Sequence, residues 1–138
     1  MSRTRRYLPC LILLLATAPL GLPTAAADHG GCTGTTHHPG HHTSWTVTDL
    51  HRDYYAAGLL GGLARLEPVN GDADLYIWDP NCLVVLCWST AGGTSAENCV
   101  APPESVIEVR YHSGGYTCPA GWNGNRCIDY TLHLHLGF

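Results

Sequence analysis

The sequence predicts an all-β protein: a disulfide-stapled β-sandwich or jelly roll, preceded by an irregular His-rich N-terminal arm. Three observations carry that expectation. In the last segment Ile128, Tyr130, Leu132, Leu134 and Leu136 alternate with Asp129, Thr131, His133 and His135, the period of a half-buried strand. No stretch of the exported chain sustains the 3.6-residue period of an amphipathic helix. Short apolar runs instead follow one another closely, separated by Gly, Pro, Asn and Asp, as in layered β folds.

Residues 28–44 are poor in apolar side chains and rich in His, Gly and Thr. They read as a flexible arm pinned only at Cys32. Strand patterning begins at Trp45 and Val47, which alternate with Thr46 and Thr48. Residues 54–60 form a second stretch, punctuated by Gly61-Gly62, and residues 63–66 a third. Asn70-Gly71-Asp72 is a turn signal. Residues 75–78 follow as a strand, ended by Asp79-Pro80-Asn81. Residues 83–88 are a continuous apolar run, expected as a buried strand. Residues 106–111 alternate again, with Glu108 and Arg110 on the wet side.

The N-terminus reads as a secretory leader. Arg3, Arg5 and Arg6 precede an apolar run of residues 8–20, and Ala25-Ala26-Ala27 are small residues suited to cleavage before Asp28. That run is shorter than the roughly 20 residues of a spanning helix. The expected organisation is therefore a signal peptide over 1–27, the arm over 28–44 and one sandwich domain over 45–138. The expected location is secreted or extracellular, the periplasm and cell surface included.

The chain has seven Arg, no Lys and eleven acids. Removing the leader takes three Arg, leaving 4 − 11 = −7 with His neutral. Such a balance excludes a phosphate backbone as the natural partner and disfavours anionic membranes. Cys10 leaves with the leader, and six cysteines remain. An even count in an exported chain reads as three disulfides, and with no CxxC pair a cysteine zinc site is not expected. Spacing leaves about fifteen pairings open. The turn-rich segments between Cys118 and Cys127 and between Cys87 and Cys99 suggest local pairs, leaving Cys32 for Cys82.

Asp53-Tyr54-Tyr55, an apolar stretch, and then Gly71-Asp72-Ala73-Asp74-Leu75-Tyr76 together resemble the bacterial pre-peptidase C-terminal domain. The likeness covers roughly residues 45–136. The second motif is the specific part, corresponding to a hairpin of that family, and the loop between Cys87 and Cys99 resembles its cysteine-bounded loop. The chain departs from the family in its His-rich arm, its Cys118 to Cys127 loop and the lack of a preceding catalytic domain. The resemblance implies a calcium-tolerant β-sandwich used for secretion, surface attachment or substrate binding, without catalysis.

Two residue clusters have metal-ligand chemistry. His37, His38, His41 and His42 surround Pro39-Gly40, a turn that lets imidazoles converge on Zn²⁺ or Cu²⁺, with Asp28 and Asp49 as further donors. A solvated, His-biased tract is the plainer reading. Asp72, Asp74, Asp79 and Asn81 supply hard oxygens for Ca²⁺. The competing explanation is turn capping, because no EF-hand spacing is present. His133 and His135 share one face of the last strand and have the spacing to clamp a metal, although exposed polar positions are the default there. Among Trp45, Trp78, Trp88 and Trp122, the last lies in a disulfide-bounded loop and is the expected exposed ligand surface. No Gly-x-Ser-x-Gly or His-Glu-x-x-His motif occurs, and all six cysteines are expected to be oxidised. The expected function is a secreted, non-catalytic binding or surface-association module that requires no cofactor. Its partner is an extracellular surface, polymer or protein. The alternative is an extracellular Zn or Cu binding protein built on the arm.

Overall fold

A computed structural model describes residues 32, 35–37 and 42–136, so the leader and most of the arm, His38 and His41 included, lie outside it. Every regular element among the described residues is a strand: β1 (Thr35–His37), β2 (His42–Thr48), β3 (Arg52–Ala56), β4 (Gly62–Pro68), β5 (Gly71–Trp78), β6 (Val85–Ser89), β7 (Glu97–Ala101), β8 (Val106–Gly114), β9 (Tyr116–Thr117) and β10 (Arg126–Leu136). They form two sheets. Sheet A has the order β1-β3-β8-β5-β6, and sheet B has the order β2-β10-β4-β7, with β9 paired to the start of β10. All pairings are antiparallel except that of β1 with β3.

Period-two patterning is what packs the sheets. Tyr55, Leu75, Ile77, Ile107 and Val109 of sheet A face Val47, Leu66, Ile128, Tyr130 and Leu132 of sheet B, and all are buried. One polar chain crosses this core. Tyr130 Oη donates to Asp53 Oδ2 at 2.6 Å and shares a 2.5 Å hydrogen bond with Tyr55 Oη. Burial raises both phenols well above the usual range, with Asp53 adding to the effect, so they stay neutral at physiological pH.

Three disulfides join Cys32 to Cys82, Cys87 to Cys99 and Cys118 to Cys127. The second links β6, at the edge of sheet A, to β7, at the edge of sheet B, and so closes one side of the sandwich. The first sits over the outer face of sheet A, where Cys32 and Cys82 pack with Tyr54, Val106 and Trp78 in a second small core.

Three expectations are corrected. The arm over 28–44 is not wholly irregular, because 35–37 is a strand beside β3 and β2 starts at His42. The apolar run 83–88 is not a buried strand. It contains edge strand β6, and Leu83, Val84, Leu86 and Trp88 are exposed because among the described residues no element covers them. Glu108 is not wet but fully buried, with Trp78 and Arg110 donating to its carboxylate. The turn expected at Asn70-Gly71-Asp72 lies between β4 and β5, which belong to different sheets. Asn70 Oδ1 accepts from Asp129 N at 3.0 Å and its Nδ2 donates to Asp129 Oδ2 at 3.1 Å.

The polar chain across the core predicts the effect of Tyr130→Phe. The substitution keeps the ring and removes both hydrogen bonds, one of them to a carboxylate. Urea denaturation should show a loss of about 1–3 kcal/mol with an unchanged m-value. A loss under about 0.5 kcal/mol would show that the chain is dispensable.

Candidate functional site

The outer face of sheet A gathers the chemistry. One cross-strand row runs Tyr54 (β3), Glu108 (β8), Tyr76 (β5) and Trp88 (β6), and the next runs Arg52, Arg110 and Asp74. The alternation of each strand puts these side chains on the side away from the main core. Glu108, at the centre, has both oxygens engaged. Trp78 Nε1 donates to Oε2 at 2.7 Å, and Arg110 Nε donates to Oε1 at 2.6 Å, with Arg52 Nε at 3.7 Å. A buried carboxylate held in this way is a structural anchor and not an available general acid or base. Arg110 also lies over the Tyr76 ring, 4.2 Å from its centroid. Burial works against the Arg110 charge, but the Glu108 carboxylate outweighs it and holds the guanidinium protonated.

Towards β6 the face becomes apolar. Trp88 is 65% exposed beside Tyr76, and Leu86, Val84 and Leu83 continue the exposed surface around the edge. From residue 80 to residue 96 the chain carries no charged side chain. Trp88 is more exposed than Trp122, at 47%, and than Trp45, at 49%. Trp122 sits in a loop tied down by its neighbours: Thr48 Oγ1 donates to Asn123 O at 2.6 Å, and Asp49 Oδ1 accepts from Asn125 N and Arg126 N. Asp49 is thereby used as a loop clasp, and those backbone donors lower its carboxyl below the usual range.

The acidic cluster separates. Asp72 and Asp74 lie near the start of β5, while Asp79 follows its end. Asp79 Oδ1 accepts from Leu83 N at 2.6 Å and from Val84 N at 2.8 Å, the turn-capping role, and its carboxyl is lowered chiefly by the Val84 donor. Asp74 is buried beside His112, with Oδ2 3.4 Å from Nδ1, and its carboxyl is raised by burial. Of the four arm histidines, His37 ends β1 and His42 begins β2, so the two lie in different sheets; His38 and His41 are outside the described residues. Among the described residues no group of three or more His, Cys, Asp or Glu is gathered to hold a metal. None of their elements is a helix long and apolar enough to cross a membrane.

Sequence reasoning missed Glu108, Arg110, Tyr76, Leu86 and Trp88 as a group, because they come from three strands that only pairing brings together. It also missed Glu97. This residue opens β7 on the inward face, is 1% exposed, and accepts from Leu75 N at 2.7 Å where β6 leaves β5. Its signal was visible: Glu97, Cys99 and Ala101 alternate with Asn98 and Val100, which puts an acid on the cysteine side of a short strand.

No family model and no curated protein matches this chain. Among solved structures it is similar to PliG of Aeromonas hydrophila, a periplasmic lysozyme inhibitor of g-type lysozyme, at 13% identity and a TM-score of 0.44 over 71% of this chain and 92% of that one. The fold stands as a disulfide-stapled β-sandwich.

Glu97 makes stability depend on pH. Burial, with Asp74 and Asp72 adding repulsion against the Leu75 and Ala91 backbone donors, pushes its carboxyl up to about 7 from 4.5. The folded state therefore binds an extra proton between those values, and stability falls as pH rises through that window. Glu97→Gln keeps an acceptor for Leu75 N and removes the charge. At pH 8 the variant should unfold with more stability than the parent, by on the order of 1–3 kcal/mol, and at pH 4 the two should coincide. A variant less stable at pH 8 would show that the ionised carboxylate is favourable where it lies.

Proposed function

We propose that this chain is a secreted, non-catalytic binding module that engages an extracellular protein through edge strand β6 and the apolar loop before it. The observation that carries the reading is the unguarded edge: Leu83 at 72% exposure, Val84, Leu86 and Trp88 in one charge-free stretch at the margin of sheet A. Sheet edges are ordinarily defended by charge, proline or a covering element. An open one suits strand addition, in which backbone hydrogen bonds supply affinity and alternate side chains supply specificity. An exposed tryptophan is the residue type that most often anchors such a contact. The Cys87–Cys99 bond fixes this edge to sheet B, so the surface is presented preorganised. Three disulfides belong to an oxidising compartment, which accords with an export leader.

The likeness of Asp53-Tyr54-Tyr55 and of residues 71–76 to the pre-peptidase C-terminal domain supports the same general role, surface association without catalysis. On this reading Trp122 is a secondary contact and the Glu108 network is the rigid support behind the face.

Leu86→Lys and Trp88→Ala test the proposal. The parent protein, immobilised, is exposed to proteins secreted by its native host. At least one retained species should weaken by about tenfold, ~1.4 kcal/mol, in both variants while their melting temperatures stay near the parent's. A concentration-dependent dimer abolished by Leu86→Lys would name a second copy as the partner. Equal retention by the parent and both variants would sink the proposal.

A further inference from the structure

Glu97 marks a junction between the sheets. It opens β7, at the margin of sheet B, yet its Oε2 accepts from Leu75 N of β5, in sheet A, at 2.7 Å. Leu75 is the β5 residue paired with Ser89, the last residue of β6. The Glu97 carboxyl therefore takes over the β5 edge where the β6 ladder ends. Its other oxygen, Oε1, is buried with no hydrogen-bond partner among the described residues. From β5 the Asp74 and Asp72 carboxyls act on it, and Asp72 Oδ1 is likewise buried without a partner. Asp74 is itself engaged by His112, with Arg110 acting on it as well. β6 brings no charged side chain, and on β4 Arg65 and Glu67 pair with each other at 2.8 Å. Inside the Cys87–Cys99 loop, residues 90–95 are exposed and belong to no strand, and a side chain at Gly92 or Gly93 would meet nothing within 4 Å.

We propose that Glu97 is a proton-operated latch on the binding edge: protonated, it holds the segment from Trp88 to Ala96 against β5, and ionised, it lets that segment swing out. The proposal rests on the reading of β6 as the binding edge and adds its regulation. Burial penalises the charged form of a carboxyl, so the neutral form suits this place. The ionised form has the Leu75 and Ala91 backbone amides in its favour and the Asp74 and Asp72 carboxyls against it. It also has one oxygen bonded to nothing. Water is the missing partner, and the exposed loop that ends two residues before Glu97 is the way to it. The Cys87–Cys99 bond holds both ends of the moving segment, so β6 stays paired with β5 up to the Cys87 and Ile77 row. A local opening of this kind needs less free energy than unfolding the sandwich. Trp88, the first residue inside the loop, moves with it, so the aromatic anchor is in place while the latch is closed. Burial, with Asp74 and Asp72 adding to it, pushes the Glu97 carboxyl up to about 7 from 4.5. The latch is therefore closed below that value and opens as pH rises through it.

The test is amide hydrogen exchange and NMR titration of the disulfide-bonded protein, with no partner added. The Leu75 amide and the Trp88 indole proton should shift together on one titration curve with its midpoint near that of Glu97. Corrected for intrinsic exchange, protection of the Leu75 amide should fall about tenfold from pH 6 to pH 8. In dilute urea that exchange should stay nearly constant, whereas exchange of Leu132, in the middle of sheet B, should follow global unfolding. Glu97→Gln should abolish the shared titration and the loss of protection. Asp74→Asn, which removes a repelling charge, should keep the titration and lower its midpoint. A titration that persists in Glu97→Gln, a midpoint unmoved by Asp74→Asn, or Leu75 exchange that occurs only through global unfolding would overturn the latch. Since none of these readouts needs a partner, that failure would leave the binding edge standing, and a failure of the retention experiment would leave the titration of Leu75 unchanged.

Discussion

The hydroxyl of Tyr130 is the constraint around which the sandwich is organised. It reaches from β10, in the middle of sheet B, across the core to Asp53 and Tyr55 of β3. Burying a carboxylate such as that of Asp53 would cost several kcal/mol if it were left without partners. Because the donor is on the opposite sheet, that cost is avoided in one relative placement of the sheets. Apolar packing tolerates sliding, whereas a 2.6 Å hydrogen bond does not. The chain of hydroxyls therefore selects a register for the two layers that hydrophobic burial alone leaves loose.

With the layers set, the two outer faces take different characters. Sheet A keeps its polar centre buried: Trp78 bonds to Glu108, Tyr54 stands beside it in register, and Arg52 and Arg110 neutralise it. Sheet B keeps a polar outer face of Thr, Ser, Asp and His, on which Ser44 bonds with Thr131 and Thr46 donates to Asp129. Chemistry on the first face is locked, so its free surface lies at the apolar margin. The Cys87–Cys99 bond joins the two sheets at the margin where the apolar edge is displayed, so that edge cannot fray independently of the core.

Much of this was legible in the residues themselves. The alternation of residues 128–136 determined β10 and its inward face, because strand geometry has a period of two whatever surrounds it. The turn-rich cysteine loops suggested two local disulfides among the open pairings, and the structure holds both together with Cys32–Cys82. The Asp79-Pro80-Asn81 stop was equally local, since the carboxylate caps backbone groups only four and five residues away. Each of these depends on neighbours close in the chain, whose positions sequence distance already limits.

Only the tertiary structure decided the rest, because it depends on which strand lies beside which. Residues 83–88 are apolar throughout, and nothing in them shows whether another strand covers them; sheet order places β6 at an edge and leaves Trp88 in solvent. Glu108 alternates like an exposed residue, yet it is fully buried and bonded to Trp78, 30 positions away in the chain. His133 and Glu67 stand 66 residues apart and meet only because β10 pairs with β4. Local sequence determines the face on which a side chain stands, through the pleat. What meets it there is set by long-range pairing, whose energy comes from the assembled core and from no single segment.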